Sequence, residues 1–187
     1  MDRSNSENIL SGSGSACDGR WQEKNGIVYF SVTSHRMDYK GWIKNFRDRN
    51  LYISLDAKDM LSLPGFEATN GITTTIAILK SGPVASGYFT SEQVCRSARE
   101  KDLIEPGIEI APLIHETLTA EDIRAMGLEW IVVMHKPVPD NTARPPRRLV
   151  SRCDGRRWLG TCYSDPSFPS SSFIGYAFIV PEENARS

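Results

Sequence analysis

The sequence predicts an α/β (α+β) fold, a mixed sheet with packed helices and an antiparallel C-terminal hairpin. Three observations predict it. Short β-branched or apolar runs at 27–33, 71–80, 128–135 and 173–180 alternate with segments of helical period. Both alternating residue sets of the first run, Ile27 to Thr33, are largely apolar, as in a strand covered on both faces. Asp154-Gly155 then stands between two further strand-like runs, 149–153 and 156–163, and both residue types tolerate the positive φ of a tight turn.

In chain order, Met1 to Arg20 is rich in Ser and Gly and reads as a disordered tail, so order is expected from Trp21. After the strand Ile27–Thr33, Trp42, Ile43 and Phe46 make one stripe of a helix over 39–49. Ser54 is a helix N-cap for 55–63, which Pro64-Gly65 ends. Gly71 to Lys80 is a strand carried by Thr73, Thr74, Thr75 and Ile76. A loop over 81–89 follows. Thr90-Ser91-Glu92-Gln93 is a capping box opening a helix to about Lys101. Over 105–118 the pattern fits strand or helix. Pro112 spoils the middle of either, which favours a helix starting near it. Thr119 caps a short helix that Gly127 closes. Leu128 to His135 is apolar on both sides and is expected at the sheet centre. Four prolines keep 136–146 irregular. A Ser/Pro loop over 164–172 leads to the last strand. The domain is expected to span 21–181, with 182–187 frayed.

A chain of 187 residues suits one domain and buries roughly 70% of its unfolded surface, so its core needs no disulfide or metal. A net charge of −1 excludes a globally basic nucleic-acid binder. The apolar run Ile131 to Met134 is far short of a membrane span, and the start lacks the apolar stretch of a signal peptide. The expectation is a soluble, cytoplasmic chain without membrane contact, its four widely spaced cysteines reduced. No phosphate-binding glycine loop and no nucleophile elbow occurs, and no cofactor is implied.

With three histidines in the chain, His115, Glu116 and His135 are the candidate acid/base residues of a hydrolase or transferase. Their spacing matches no metal motif. The structural alternative places His135 at a strand end and His115 on a helix face. A stronger signal is charge. Six arginines against Asp154 alone fall within 144–157, so the rest of the chain is net acidic. Arg147, Arg148, Arg152, Arg156 and Arg157, with Trp158 beside them, are the candidate binding residues. Arginine suits bidentate contact with phosphate or carboxylate. The first functional reading is a small non-enzymatic binding or accessory protein that docks a protein partner, or a second copy, on the sheet edge near this hairpin. Nucleic-acid binding through the same arginines is the second reading. It fails if Arg147→Glu with Arg148→Glu leaves binding of a nucleic-acid probe unchanged.

The stretch Met126 to Pro137, with Arg157-Trp158-Leu159 and Gly175-Tyr176-Ala177-Phe178, resembles a family of uncharacterised bacterial proteins. The resemblance implies a bacterial origin and transfers no activity.

Overall fold

The structure, a computed structural model, describes residues 19–64, 66–81, 90–139, 146–153, 156–164 and 173–182. Most of the expected N-terminal tail, the Asp154-Gly155 turn, most of the 81–89 and 164–172 loops and residues 183–187 lie outside them.

Eight strands form one mixed sheet: β1 (Trp21–Lys24), β2 (Ile27–His35), β3 (Tyr52–Ile53), β4 (Asn70–Lys80), β5 (Trp130–Val133), β6 (Arg147–Arg152), β7 (Trp158–Tyr163) and β8 (Ile174–Ile179). Their spatial order is β1-β2-β4-β8-β5-β6-β7-β3. Two neighbouring pairs, β5/β8 and β3/β7, run parallel; the rest are antiparallel. The expected central strand is interior, between β8 and β6. With five helices among the described residues the fold is α+β.

Alternation along the strands makes two cores. Val28, Phe30, Ile76, Ile78, Ile131, Val133, Leu149 and Leu159 point to one face. There they pack against α1 (Tyr39–Asp48), α2 (Leu55–Leu61), α4 (Ile110–Thr117) and α5 (Ala120–Ala125). Trp42 and Phe46 of α1 are fully buried in this layer. Ala77, Leu79, Val132, Val150, Tyr176 and Phe178 point the other way, toward Val94 and Ala98 of α3 (Ser91–Arg99).

The helix starts follow from side-chain caps. Ser54 accepts from the Ala57 N–H, and Thr90 and Gln93 close a capping box, as do Thr119 and Asp122. Each satisfies amides that have no partner inside the helix. Helix α4 begins at Ile110, two residues before the expected Pro112. Proline is tolerated there because first-turn amides have no intrahelical acceptor.

Two strands depart from the sequence reading. The antiparallel ribbon β1/β2 turns at Asn25 (φ 55°) and Gly26 (φ 76°), a left-handed pair suited to a two-residue hairpin. β3 is two residues long and pairs with Trp158 and Leu159 of β7. The edge on that side is therefore β3. β6 pairs antiparallel with β7, Arg152 standing opposite Trp158. The Asp154-Gly155 turn expected between these strands lies outside the described residues.

Candidate functional site

The sheet register builds a row of cations and rings. Trp130, Arg152, Trp158 and Tyr52 occupy facing positions on the four adjacent strands β5, β6, β7 and β3. They therefore share one face. The Arg152 guanidinium carbon lies 3.7 Å from the Trp130 ring centroid and 4.5 Å from that of Trp158. The Trp158 and Tyr52 rings meet edge to face at 6.4 Å, and Arg156 lies 5.0 Å from the Tyr52 centroid. Each such stack contributes about 0.5–2 kcal/mol, more as water is excluded. A glycine makes room for the row: a Cβ on Gly160 would run into the Trp158 ring. Gly160→Ala is expected to displace Trp158 and cost about 1–3 kcal/mol. Urea denaturation with tryptophan emission measures both effects.

At the Tyr52 end the row meets a cleft of about 480 Å³. It lies between the last turn of α1, residues 50–53, α2 and Arg156 and Arg157. The chain reverses sharply to form it. Asn50 is left-handed (φ 53°), and the Leu51 N–H donates to the Phe46 carbonyl at 2.7 Å, closing α1. Arg47, Lys58, Arg156 and Arg157 line the cleft with Ile43, Leu51, Tyr52 and Ile53, and among the described residues no carboxylate lines it. Among the described residues none of the four cations forms an ion pair. The Arg157 Nε and Nη2 are sealed from solvent with no acceptor among the described residues. Burial, then the nearby Arg49 charge, lowers the pKa of Arg157. A half-buried guanidinium with two nitrogens lacking an acceptor among the described residues is a cost to the fold.

The other candidate arginines have different fates. Arg147 pairs with Asp56 of α2 at 3.0 Å. Arg148 is not on the surface at all, being 5% exposed. Strand alternation turns it onto the α3 side of the sheet. There its Nε donates to the His135 carbonyl at 3.0 Å and its Nη1 to the hydroxyls of Ser164 and Ser91. Arg152 is engaged in the tryptophan row. Only Arg156 and Arg157 reach the cleft, where Arg47 and Lys58 from α1 and α2 join them. Neither of those two is among the residues the sequence pointed to.

The three acid/base candidates hydrogen-bond to separate partners. His115 is fully buried, its Nδ1 2.9 Å from the Ser151 hydroxyl and its ring edge-on to Phe46 at 5.3 Å. Its Nε2 has no hydrogen-bond partner among the described residues. Burial, with Arg157 and Arg49 nearby, lowers its pKa to about 3. The Nε2 of His135 accepts the Leu149 N–H at 2.9 Å, so the ring proton sits on Nδ1 and goes to the Lys136 carbonyl at 2.7 Å. Its pKa falls to about 4, through burial first and then Arg148, against the opposing Lys136 hydrogen bond. Glu116, one residue on from His115 and so about 100° around α4, bonds Arg49 at 2.7 Å, Asn45 at 3.1 Å and His35 at 3.2 Å. Among the described residues the three side chains share no hydrogen-bond partner. The Cys162 thiol is pushed up to about 12 by burial, so it is not a thiolate near neutrality.

Among the described residues no three His, Cys, Asp or Glu side chains gather as a metal would require, and no helix is long and apolar enough to cross a membrane. No family model, curated protein or solved structure matches the chain.

Proposed function

We propose that the chain is a non-enzymatic, cytoplasmic binding protein that docks an acidic protein surface on the arginine-bearing face around β7 and β3. The observation that supports this is the cleft with four cations and, among the described residues, no lining carboxylate. Elsewhere on the described surface charges pair at short range, as in Arg147–Asp56, Lys80–Glu23 and Arg49–Glu116. Cations left unmatched on one side of a net-acidic chain favour an acidic partner, a second copy included, and speed its approach.

A single-stranded nucleic acid is the second reading. The row Trp130, Arg152, Trp158, Tyr52, Arg156 favours it, because bases stack on aromatic and guanidinium planes while cations hold the backbone.

Fluorescence anisotropy of a labelled poly-glutamate peptide and of a labelled single-stranded oligonucleotide separates the two. The peptide is expected to bind the native chain, more weakly as salt rises. Arg156→Glu with Arg157→Glu is expected to weaken it at least tenfold. Stronger binding of the oligonucleotide than of the peptide, with a steep salt slope, transfers the assignment to nucleic acid. If neither probe binds, or the double variant binds as the native chain does, the docking role of these arginines is wrong.

A further inference from the structure

We infer that the cleft beside Tyr52 is a binding site for a small organic phosphate, its phosphate oxygens held by Arg47, Lys58 and Arg157 and its carbon skeleton laid against Ile43, Leu51 and Ile53. This rests on the reading of the arginine-bearing face as a recognition surface and deepens it.

Shape is the first argument. A convex basic patch suits an extended polyanion, but these cations line a concavity. At about 480 Å³ it falls within the roughly 300–1,000 Å³ of small-molecule sites. Convergence is the second. Arg47 comes from the last turn of α1, Lys58 from α2 and Arg157 from the connection between β6 and β7. Three separate elements bring like charges together, which costs the fold energy unless an anion is present. The carbonyl end of α1 accounts for Arg47 as a dipole partner. It does not account for Lys58 or Arg157. The third argument is Arg157 itself, a cleft-lining guanidinium whose charge is disfavoured by burial, so that an anion beside it relieves a cost to the fold. Asp122, the acid that acts on it electrostatically, spends its carboxylate on Thr119 and Arg20. Chemistry of the walls is the fourth. Ile43, Leu51 and Ile53 offer carbon on one side, and the half-exposed Tyr52 ring stands among them. A bare inorganic anion leaves that wall unused. A phosphate ester with an apolar or aromatic group uses both.

The test is isothermal titration of the full chain with three probes: adenosine diphosphate, inorganic pyrophosphate and adenosine. Adenosine diphosphate is expected to bind best, pyrophosphate more weakly, and adenosine not measurably. Lys58→Gln and Arg47→Gln each remove one charge-assisted contact and are expected to weaken the diphosphate about tenfold. Both positions are on the protein surface, so the variants keep the fold, which a thermal melt checks. Arg96→Gln, on α3 beside Glu92, is the control and leaves binding unchanged. Equal binding of adenosine and its diphosphate, no diphosphate binding, or unchanged binding in both cleft variants overturns the inference. If the poly-glutamate peptide still binds in those cases, only the cleft assignment falls. If the peptide fails as well, the reading of the whole face falls with it.

Discussion

Between pH 7 and pH 5 the chain is expected to lose about 4 kcal/mol of unfolding free energy, shared between His115 and His135. Both are buried, and both are held well below the ordinary histidine value, at about 3 and about 4. In the unfolded chain each titrates near pH 6.5. Between those limits the unfolded state binds more protons than the folded one, so stability is full above pH 6.5 and falls as the pH drops through the window. At pH 5 the gap amounts to about 2 kcal/mol per ring. The geometry says why the folded rings resist the proton. A second N–H on His115 finds no acceptor at Nε2 and lies in the field of Arg157 and Arg49. A proton on Nε2 of His135 meets the Leu149 N–H head on, with Arg148 adding repulsion. Asp122 does not blur the window. Burial alone would raise its pKa, but Thr119 and Arg20 lower it, so it titrates below the histidine range. Urea denaturation at pH 7, 6 and 5 measures the loss. His135→Gln keeps an amide donor and acceptor in place and is expected to halve the pH dependence. A stability unchanged from pH 7 to pH 5 contradicts the assignment. The same physics keeps both rings neutral near pH 7, with their nitrogens turned inward, which counts against an acid/base role for either.

Local chemistry made the helices legible. Ser54, Thr90 with Gln93, and Thr119 act within one turn of their own positions, so the segment alone shows them. Strands were legible where burial wrote a pattern. Leu128 to His135 read as central because both its faces are covered. β1 was not legible, since Trp21-Gln22-Glu23-Lys24 is an edge ribbon with one apolar residue, although Asn25-Gly26 carried a usable turn signal. β3 is set by pairing with residues more than a hundred positions away, which no local window contains. The arginine cluster shows the same limit. In a strand, neighbours in sequence point to opposite faces. Arg147 therefore meets α2, Arg148 lies under α3, and Arg152 joins the tryptophans. The cleft draws its remaining cations from the first third of the chain, where Arg47 and Lys58 look like any exposed helix residue.

Arg148→Glu is expected to destabilise the chain by about 3–5 kcal/mol, the usual consequence of an uncompensated buried charge. The site is built for donors. The Nε of Arg148 serves the His135 carbonyl, and its Nη1 bridges Ser91 on α3 and Ser164 beyond β7. A carboxylate there faces the His135 oxygen with no hydrogen to give, and Glu105, close enough to act on Arg148 electrostatically, becomes a like charge. Arg148→Met removes the charge while keeping much of the length, and is expected to cost about 1–3 kcal/mol for the carbonyl left without its donor. Arg156→Glu, on an exposed side chain, is expected to cost about 0.5–1 kcal/mol, the loss of its stack on Tyr52. Urea midpoints for the three variants give the comparison, and equal midpoints for Arg148→Glu and Arg156→Glu would show that Arg148 is not the buried tie described. The distinction decides how a binding experiment is read. Reversing Arg147 and Arg148 together abolishes binding by unfolding the contact between β6 and α3, whatever the partner is. Reversing Arg156 leaves that contact whole, so a loss of binding there belongs to the surface.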